Sequence, residues 1–181
     1  MTNTEIATLK QPRGLYSLFF VEMWERYGFY SVQILFTLFL TKAYHYPDSQ
    51  AYDLFSAYSA LIYATPVIGG YLADKYIGFR HAIFLGGFLY LIGYFLLASG
   101  SHQLFFIALA LLIAGNGFFK SCVSSLLGTL YNEKDPRRDS GFTIFYMGIN
   151  IGSAFAPLIT TFLANTYGWG YGFASAAIGM I

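Results

Sequence analysis

The chain has 181 residues, of which 56% are hydrophobic, 20% aromatic and only 10% charged, with a net charge of +1 at pH 7. A soluble domain carries about 25% charged residues, so this composition excludes an ordinary soluble domain and points to an all-α membrane protein. There is no basic stripe and no zinc-ligand spacing, so neither a nucleic-acid partner nor a metal site is expected, and the single cysteine, Cys122, excludes an intrachain disulfide.

Residues 1–14 are polar and carry Lys10 and Arg13 ahead of the first apolar run. That run is too long and too charged for a secretory signal peptide and lacks a small-residue cleavage site. It predicts a first span over about 15–42, followed by a short loop marked by Pro47 and Asp48. A second span is expected over about 51–74, with Tyr58, Tyr63 and Pro66 inside it. A tight basic turn, with Gly70, Asp74, Gly78 and Arg80, reads as a gating or structural loop. The third span, about 82–99, carries no charge. The fourth, about 104–131, is apolar apart from Asn116, Lys120 and small hydroxyls. The most charged loop, 132–139, leads to a fifth span at about 140–164, which holds Asn150 and the Gly148–Gly152 pair. A sixth begins near 169 and the sequence stops at Ile181. Glycines 86, 87, 93, 148 and 152 are expected to be close-packing sites, and Cys122 a small packing residue.

The first span places Glu22, Glu25 and Arg26 in a segment otherwise fit to cross a bilayer. Each charge near the centre of a membrane helix costs roughly 2.5–3.5 kcal/mol. Such charges must pair, line a water-filled cavity or titrate. At about 100° per residue Glu22, Arg26 and Tyr30 fall within roughly 80° of one another, and Gln33 returns to the same stripe. Glu22 and Arg26 are i,i+4 neighbours, the spacing at which carboxylate and guanidinium meet. The group reads as a transport or proton-relay site, with a purely structural ion pair as the alternative.

Lys120 lies about eleven residues from the expected cytoplasmic end of its span, roughly 16 Å at the helical rise and too deep for easy snorkelling. The intramembrane charges then cancel, Glu22 and Glu25 against Arg26 and Lys120, as a paired buried network requires. A carboxylate beside Arg26 or Lys120 stays ionised, and when its partner leaves it takes a proton. Asn150 serves either as helix glue or as a ligand contact. Tyr63 is a weaker candidate.

Of the ten lysines and arginines, seven (Lys10, Arg13, Lys75, Arg80, Lys134, Arg137 and Arg138) fall on the N-terminal side of the membrane and Lys42 alone on the other. This places the N-terminus in the cytoplasm. A half-built sixth helix leaves backbone groups in lipid, so the chain reads as the N-terminal part of a longer protein.

Taken together, Glu22-x-x-Glu25-Arg26-Tyr27-x-Phe29-Tyr30, the Gly69–Gly78 turn, Gly115–Lys120 and Phe142–Ser153 resemble the proton-dependent oligopeptide transporter family of the major facilitator superfamily. The resemblance runs through all five complete spans. It implies the N-terminal six-helix bundle of a transporter of that superfamily, residues 15–181, with the sixth helix truncated and the C-terminal bundle absent. It further implies proton coupling by Glu22, Glu25 and Arg26, with Lys120 as salt-bridge partner. Arg26, Tyr30 and Lys120 would hold a peptide carboxylate, Asn150 and Tyr63 would contact its backbone, and Gln33 lines the same site. Two residues depart from the family pattern: Tyr27 stands in place of phenylalanine, and Phe29 in place of the first of two tyrosines.

The expected activity is import of di- and tripeptides by proton symport through alternating access. The proton gradient would be the energy source, with no cofactor and no enzymatic reaction. Expected partners are small peptides, protons, the lipid bilayer and the C-terminal bundle of the full-length chain. The expected location is a cell membrane, crossed several times, taken as a bacterial inner membrane. The alternatives are a proton-coupled carrier of another small anionic or zwitterionic solute, and a non-transporting membrane sensor.

Overall fold

The computed structural model describes residues 10–180, so most of the expected cytoplasmic segment 1–14 and the terminal Ile181 lie outside the described residues. Within them the chain forms six α-helices: α1 Arg13–Ala43, α2 Asp48–Leu72, α3 Phe79–Ala98, α4 His102–Gly128, α5 Arg138–Tyr167 and α6 Trp169–Ile178. Three of them, α3, α4 and α5, are long and apolar enough by composition to cross a membrane. Helices α1 and α2 have the length, but their polar stripes lower the hydropathy that the other three keep. Large apolar side chains such as Val67, Phe84 and Leu158 face outward, at 76%, 77% and 67% exposure. In water such a surface would be a liability, whereas in lipid it is the expected coat.

Chain breaks follow local chemistry. Pro47 precedes α2 and supplies the fixed φ of a helix entry. Inside α2, Pro66 has no N–H, so the Ile62 carbonyl, four residues earlier, loses its helical donor. The expected basic turn after α2 is instead a continuation of the helix: Ala73–Ile77 form one π-helical turn. It is closed by Gly78 N–H donating to the Ala73 carbonyl at 2.7 Å. Gly78 then adopts φ 81°, a left-handed conformation that glycine alone takes without strain, and α3 starts at the next residue. Helix α4 ends at Gly128, three residues before the expected limit, because the chain leaves the helix through short turns at Thr129–Tyr131. Helix α6 begins at Trp169, as expected, after Gly168 at φ 108°.

The helices pack chiefly as α3 on α4, α1 on α5 and α2 on α4, with α6 filling the space between α3 and α5. Glycines set these approaches. A Cβ on Gly69 would collide with the Gly117 backbone, bringing α2 and α4 into main-chain contact. A Cβ on Gly86 would come within 2.8 Å of the Gly115 carbonyl oxygen on α4, one on Gly148 within 2.9 Å of the Phe19 carbonyl oxygen, and one on Gly152 would collide with that of Met23. Gly87 differs from expectation: nothing lies within 4 Å of its missing side chain, because it sits one helical step away from the α4 contact that Gly86 makes. Cys122 is fully buried with Ala73 and Ala82, as a small packing residue.

Candidate functional site

The midsection of α1 carries Glu22, Glu25 and Arg26, exposed to 5%, 0% and 6%. Arg26 turns its guanidinium edge along its own helix, where Nε and Nη2 donate to the two carboxylate oxygens of Glu25, the latter at 2.6 Å. This two-point fork is the strongest geometry available to an arginine and a carboxylate. Glu22 Oε1 stands 3.5 Å from Arg26 Nε, the i,i+4 pair read from the sequence. The tighter partner is thus the adjacent glutamate, which helical angle alone places on a different face; the length of the arginine side chain closes that gap.

Phe29 occupies the centre of the next turn. Arg26 Cζ lies 4.7 Å from its ring centroid, and Lys120 Nζ of α4 lies 5.9 Å from the same centroid. Lys120 also sits 5.2 Å from the ring of Tyr63 on α2, which meets Phe29 edge-on at 6.3 Å. The phenylalanine that departs from the family pattern therefore separates the two cations, and its ring receives both. Among the described residues Lys120 forms no ion pair, so the expected Lys120 salt bridge is absent from this arrangement.

The other departure, Tyr27, is also accounted for. Its hydroxyl lies 2.7 Å from Ser175 Oγ of α6 and accepts from Thr160 Oγ1 of α5 at 3.2 Å. Ser31 continues the ladder to Thr160 at 2.6 Å. The extra oxygen on Tyr27 joins three helices rather than facing the charged cluster.

Two residues of the site were given no role by sequence reasoning. Tyr90 of α3 is 1% exposed and its hydroxyl donates to Glu25 Oε1 at 2.7 Å. Asn116 of α4 is equally buried; its Oδ1 lies 3.1 Å from the Tyr90 hydroxyl, and its Nδ2 donates to the Ile62 carbonyl of α2. Both are neutral, and Tyr90 is one of 16 tyrosines. The available signals were Tyr90–Tyr94 at i,i+4 beside Gly86 and Gly93, and Pro66, which announces an unpaired carbonyl at Ile62.

The remaining candidates are more dispersed. Tyr30 and Tyr63 are exposed at 37% and 60%, and Gln33 is half-buried. Asn150 is exposed and, among the described residues, its side chain makes no hydrogen bond; Gly148 and Gly152, which pack on α1, point the other way round α5. Gly70 approaches Ser121 of α4, and a Cβ there would come within 2.8 Å of the Ser121 hydroxyl. Asp74 and Arg80 are both exposed on either side of Gly78, and among the described residues neither forms an ion pair. On the same side of the molecule, Arg137 donates to Asp135 at 2.7 Å and to the Lys10 carbonyl at 2.8 Å, and Gln11 bonds with Tyr131 and Ser140. The Arg137 guanidinium holds the Asp135 carboxyl down at about 2.

A buried carboxylate pair thus shares one arginine, with a lysine behind an aromatic ring, inside a helical bundle whose outer surface is apolar. The profile of one family, described as the POT family (PTR2), matches residues 80–181, more than half of the chain. The chain belongs to the POT family. Among its relatives, the dipeptide and tripeptide permease A of Klebsiella pneumoniae (strain 342) is 41% identical over 181 residues, covering 99% of this chain and 36% of the permease. That of Yersinia pestis is 41% identical over 174 residues, covering 95% of this chain and 35% of the permease. A solved peptide transporter POT in complex with sulfate is 36% identical, superposes with a TM-score of 0.90, and is matched over 99% of this chain and 39% of its own. A POT family transporter in complex with 5-aminolevulinic acid is 35% identical with a TM-score of 0.88, over 97% of this chain and 38% of its own. The POT chain described here thus spans little more than a third of the length of these relatives. Its fold is that of their helical bundle, and the protein is a multi-pass membrane protein of a transporter family.

Proposed function

We propose that this chain is the N-terminal bundle of a proton-coupled symporter that imports di- and tripeptides by alternating access. The observation that carries the reading is the buried Glu22–Arg26–Glu25 cluster beside Lys120, in helices that lipid surrounds. Glu22 and Glu25 are the proton acceptors. Arg26 holds both carboxylates in the resting arrangement; when a substrate carboxylate draws Arg26 or Lys120 away, a carboxylate left alone in a dry site takes a proton. Proton uptake and exchange of ion pairs are then one event, and the proton gradient drives it without a cofactor.

Arg26, Tyr30, Gln33, Tyr63, Lys120 and Asn150 form the substrate half-site. The cations suit a terminal carboxylate, and the exposed tyrosines and the Asn150 amide offer donors and acceptors to a peptide unit. Relatives solved with sulfate and with 5-aminolevulinic acid support a site that takes anionic groups. A second bundle, supplied by the rest of a longer chain, completes the path. Gly70 near the end of α2, Asp74 in the π-helical turn, Gly78 and Arg80 at the start of α3 form the cytoplasmic junction that gates it. The seven-to-one distribution of basic residues supports a cytoplasmic N-terminus, in what we take to be a bacterial inner membrane.

The test is uptake of labelled dialanine by the full-length protein in liposomes under an inside-alkaline gradient, with Lys120→Ala alongside. Concentrative uptake that collapses in the variant is the expected result, and no uptake by folded protein contradicts the reading. A second reading, another small zwitterionic or anionic solute, is favoured by the relative solved with 5-aminolevulinic acid. Competition between that solute and dialanine separates the two.

A further inference from the structure

Between the charged cluster on α1 and the proline break in α2 runs an unbroken line of hydrogen-bonding groups. It passes from Glu25 Oε1 to the Tyr90 hydroxyl (2.7 Å), to Asn116 Oδ1 (3.1 Å), and from Asn116 Nδ2 to the Ile62 carbonyl. Each link has a fixed polarity except one. The Ile62 carbonyl only accepts, so the amide nitrogen of Asn116 must face it and the amide oxygen must face Tyr90. A tyrosine hydroxyl has a single hydrogen, yet Tyr90 stands between two acceptors. It can satisfy Glu25 or Asn116, not both.

We propose that Tyr90 and Asn116 are positioning residues that report the protonation of Glu25 to α2 at Pro66. The proposal rests on Glu25 being a proton acceptor of the symporter. With Glu25 ionised, the Tyr90 hydrogen goes to the carboxylate, the charge-assisted and shorter of its two contacts. Asn116 Oδ1 then faces an oxygen with no hydrogen between them. When Glu25 gains a proton and Arg26 lets go, the carboxyl O–H donates to the Tyr90 oxygen, and Tyr90 turns its own hydrogen to Asn116. One proton has arrived, on Glu25; Tyr90 has rotated its hydrogen without losing it, and no charge has moved along the line. An amide that accepts at its oxygen donates more strongly at its nitrogen, so the Asn116 bond to Ile62 tightens.

Ile62 is where that signal has effect, because Pro66 denies its carbonyl the usual helical donor. Asn116 replaces that donor from another helix. The next residue, Tyr63, stands under Lys120. The protonation of α1 is thereby converted into how firmly α2 is tied to α4 beside the substrate half-site. The other groups facing Glu25 are Arg26 and Glu22 on α1, Tyr58 on α2, Tyr94 on α3 and Lys120 on α4. None of these bridges to the Ile62 carbonyl.

The experiment measures amide hydrogen exchange of residues 60–70 by mass spectrometry on the full-length protein in lipid nanodiscs, at one fixed pH. Glu25→Gln stands in for the protonated state, since its amide donates to Tyr90 as the carboxyl would. In the parent background this change is expected to slow exchange about fivefold, the population shift that one neutral hydrogen bond supports. In the Tyr90→Phe background the difference is expected to vanish. Pro66→Ala restores an N–H to the Ile62 carbonyl, so there too the difference is expected to vanish. An undiminished effect in either background overturns the relay, as does no effect in the parent. Proton-driven uptake is measured on the same variants. If Glu25→Gln still accumulates peptide, the symporter role of Glu25 fails, while the exchange result continues to judge the relay.

Discussion

Arg26 takes both oxygens of the residue beside it in sequence, while Glu22, one turn back, waits at 3.5 Å. Removing the guanidinium leaves two buried carboxylates without the cation that joins them, Glu25 keeping only the Tyr90 hydroxyl. Arg26→Ala is therefore expected to cost about 3–5 kcal/mol of stability, seen as an earlier thermal transition in detergent. Part of it should return when Glu25→Gln is added, since an amide needs no counter-charge; failure of the second change to restore any stability would show that the cost was lost packing on Phe29. The charged trio was legible because it violates an apolar run, and any reader of hydropathy meets it. Tyr90 was not, because a tyrosine in a membrane helix violates nothing, and Asn116 stood out only as a polar exception with no partner in view. What makes them part of the site is the approach of α3 to α4 through Gly86 and Gly115, and a carbonyl left open by a proline 50 residues before Asn116 in the chain. Phe29 was legible only as a missing hydroxyl; its position between two cations required Lys120 to be placed.

At the scale of elements, close approach is decided by individual glycines, and neighbouring glycines differ. Gly69→Ala forces a methyl into the backbone of Gly117 and is expected to destabilise the protein by about 1–3 kcal/mol, as overpacking does. Gly87→Ala meets open space, and in a helix interior it is expected to be neutral or to stabilise by up to about 1 kcal/mol. Parallel thermal unfolding of the two variants checks this, and equal losses would contradict the packing of α2 on α4. Apolar runs and the loop residues between them located all six helices but placed several ends imperfectly. The π-helical turn Ala73–Ile77 depends on one N–H reaching five residues back instead of four, a choice no residue pattern announces. Helix α2 starts at Asp48, three residues before the expected limit, because Pro47, read as a loop residue, instead enters the helix, and the end of α4 at Gly128 lies in a run of small and apolar residues with no strong stop.

Across the whole molecule, the ends of several helices are clasped on one side. Arg137 joins Asp135 to the Lys10 carbonyl, and Gln11 joins Tyr131 to Ser140. The Asp135 carboxyl is held at about 2, below the usual value near 4. A depressed carboxylate contributes stability above its unfolded value, and that contribution fades as pH falls from about 4 through 2. Protection of the 132–138 amides, corrected for intrinsic exchange, is expected to be constant from pH 7 to 5 and lost near pH 2. Asp135→Asn should lack it at every pH, and protection unchanged in that variant would contradict the clasp. The same side carries the basic residues that support a cytoplasmic N-terminus. With Cys122→Ala as background, a cysteine at Lys10 is expected to resist membrane-impermeant maleimide in intact cells and one at Tyr167 to react; the reverse pattern would invert the topology.

If Glu25 couples proton entry to substrate movement, gradient-driven uptake and gradient-free exchange separate when its charge is removed. Full-length protein carrying Glu25→Gln is reconstituted in liposomes, and two activities are measured on the same vesicles: dialanine accumulation driven by an inside-alkaline gradient, and exchange of labelled for unlabelled dialanine with no gradient. Accumulation is expected to fall to background while exchange persists. Accumulation at the parent level in the variant would contradict that coupling, and the buried carboxylate would then be only a structural partner of Arg26.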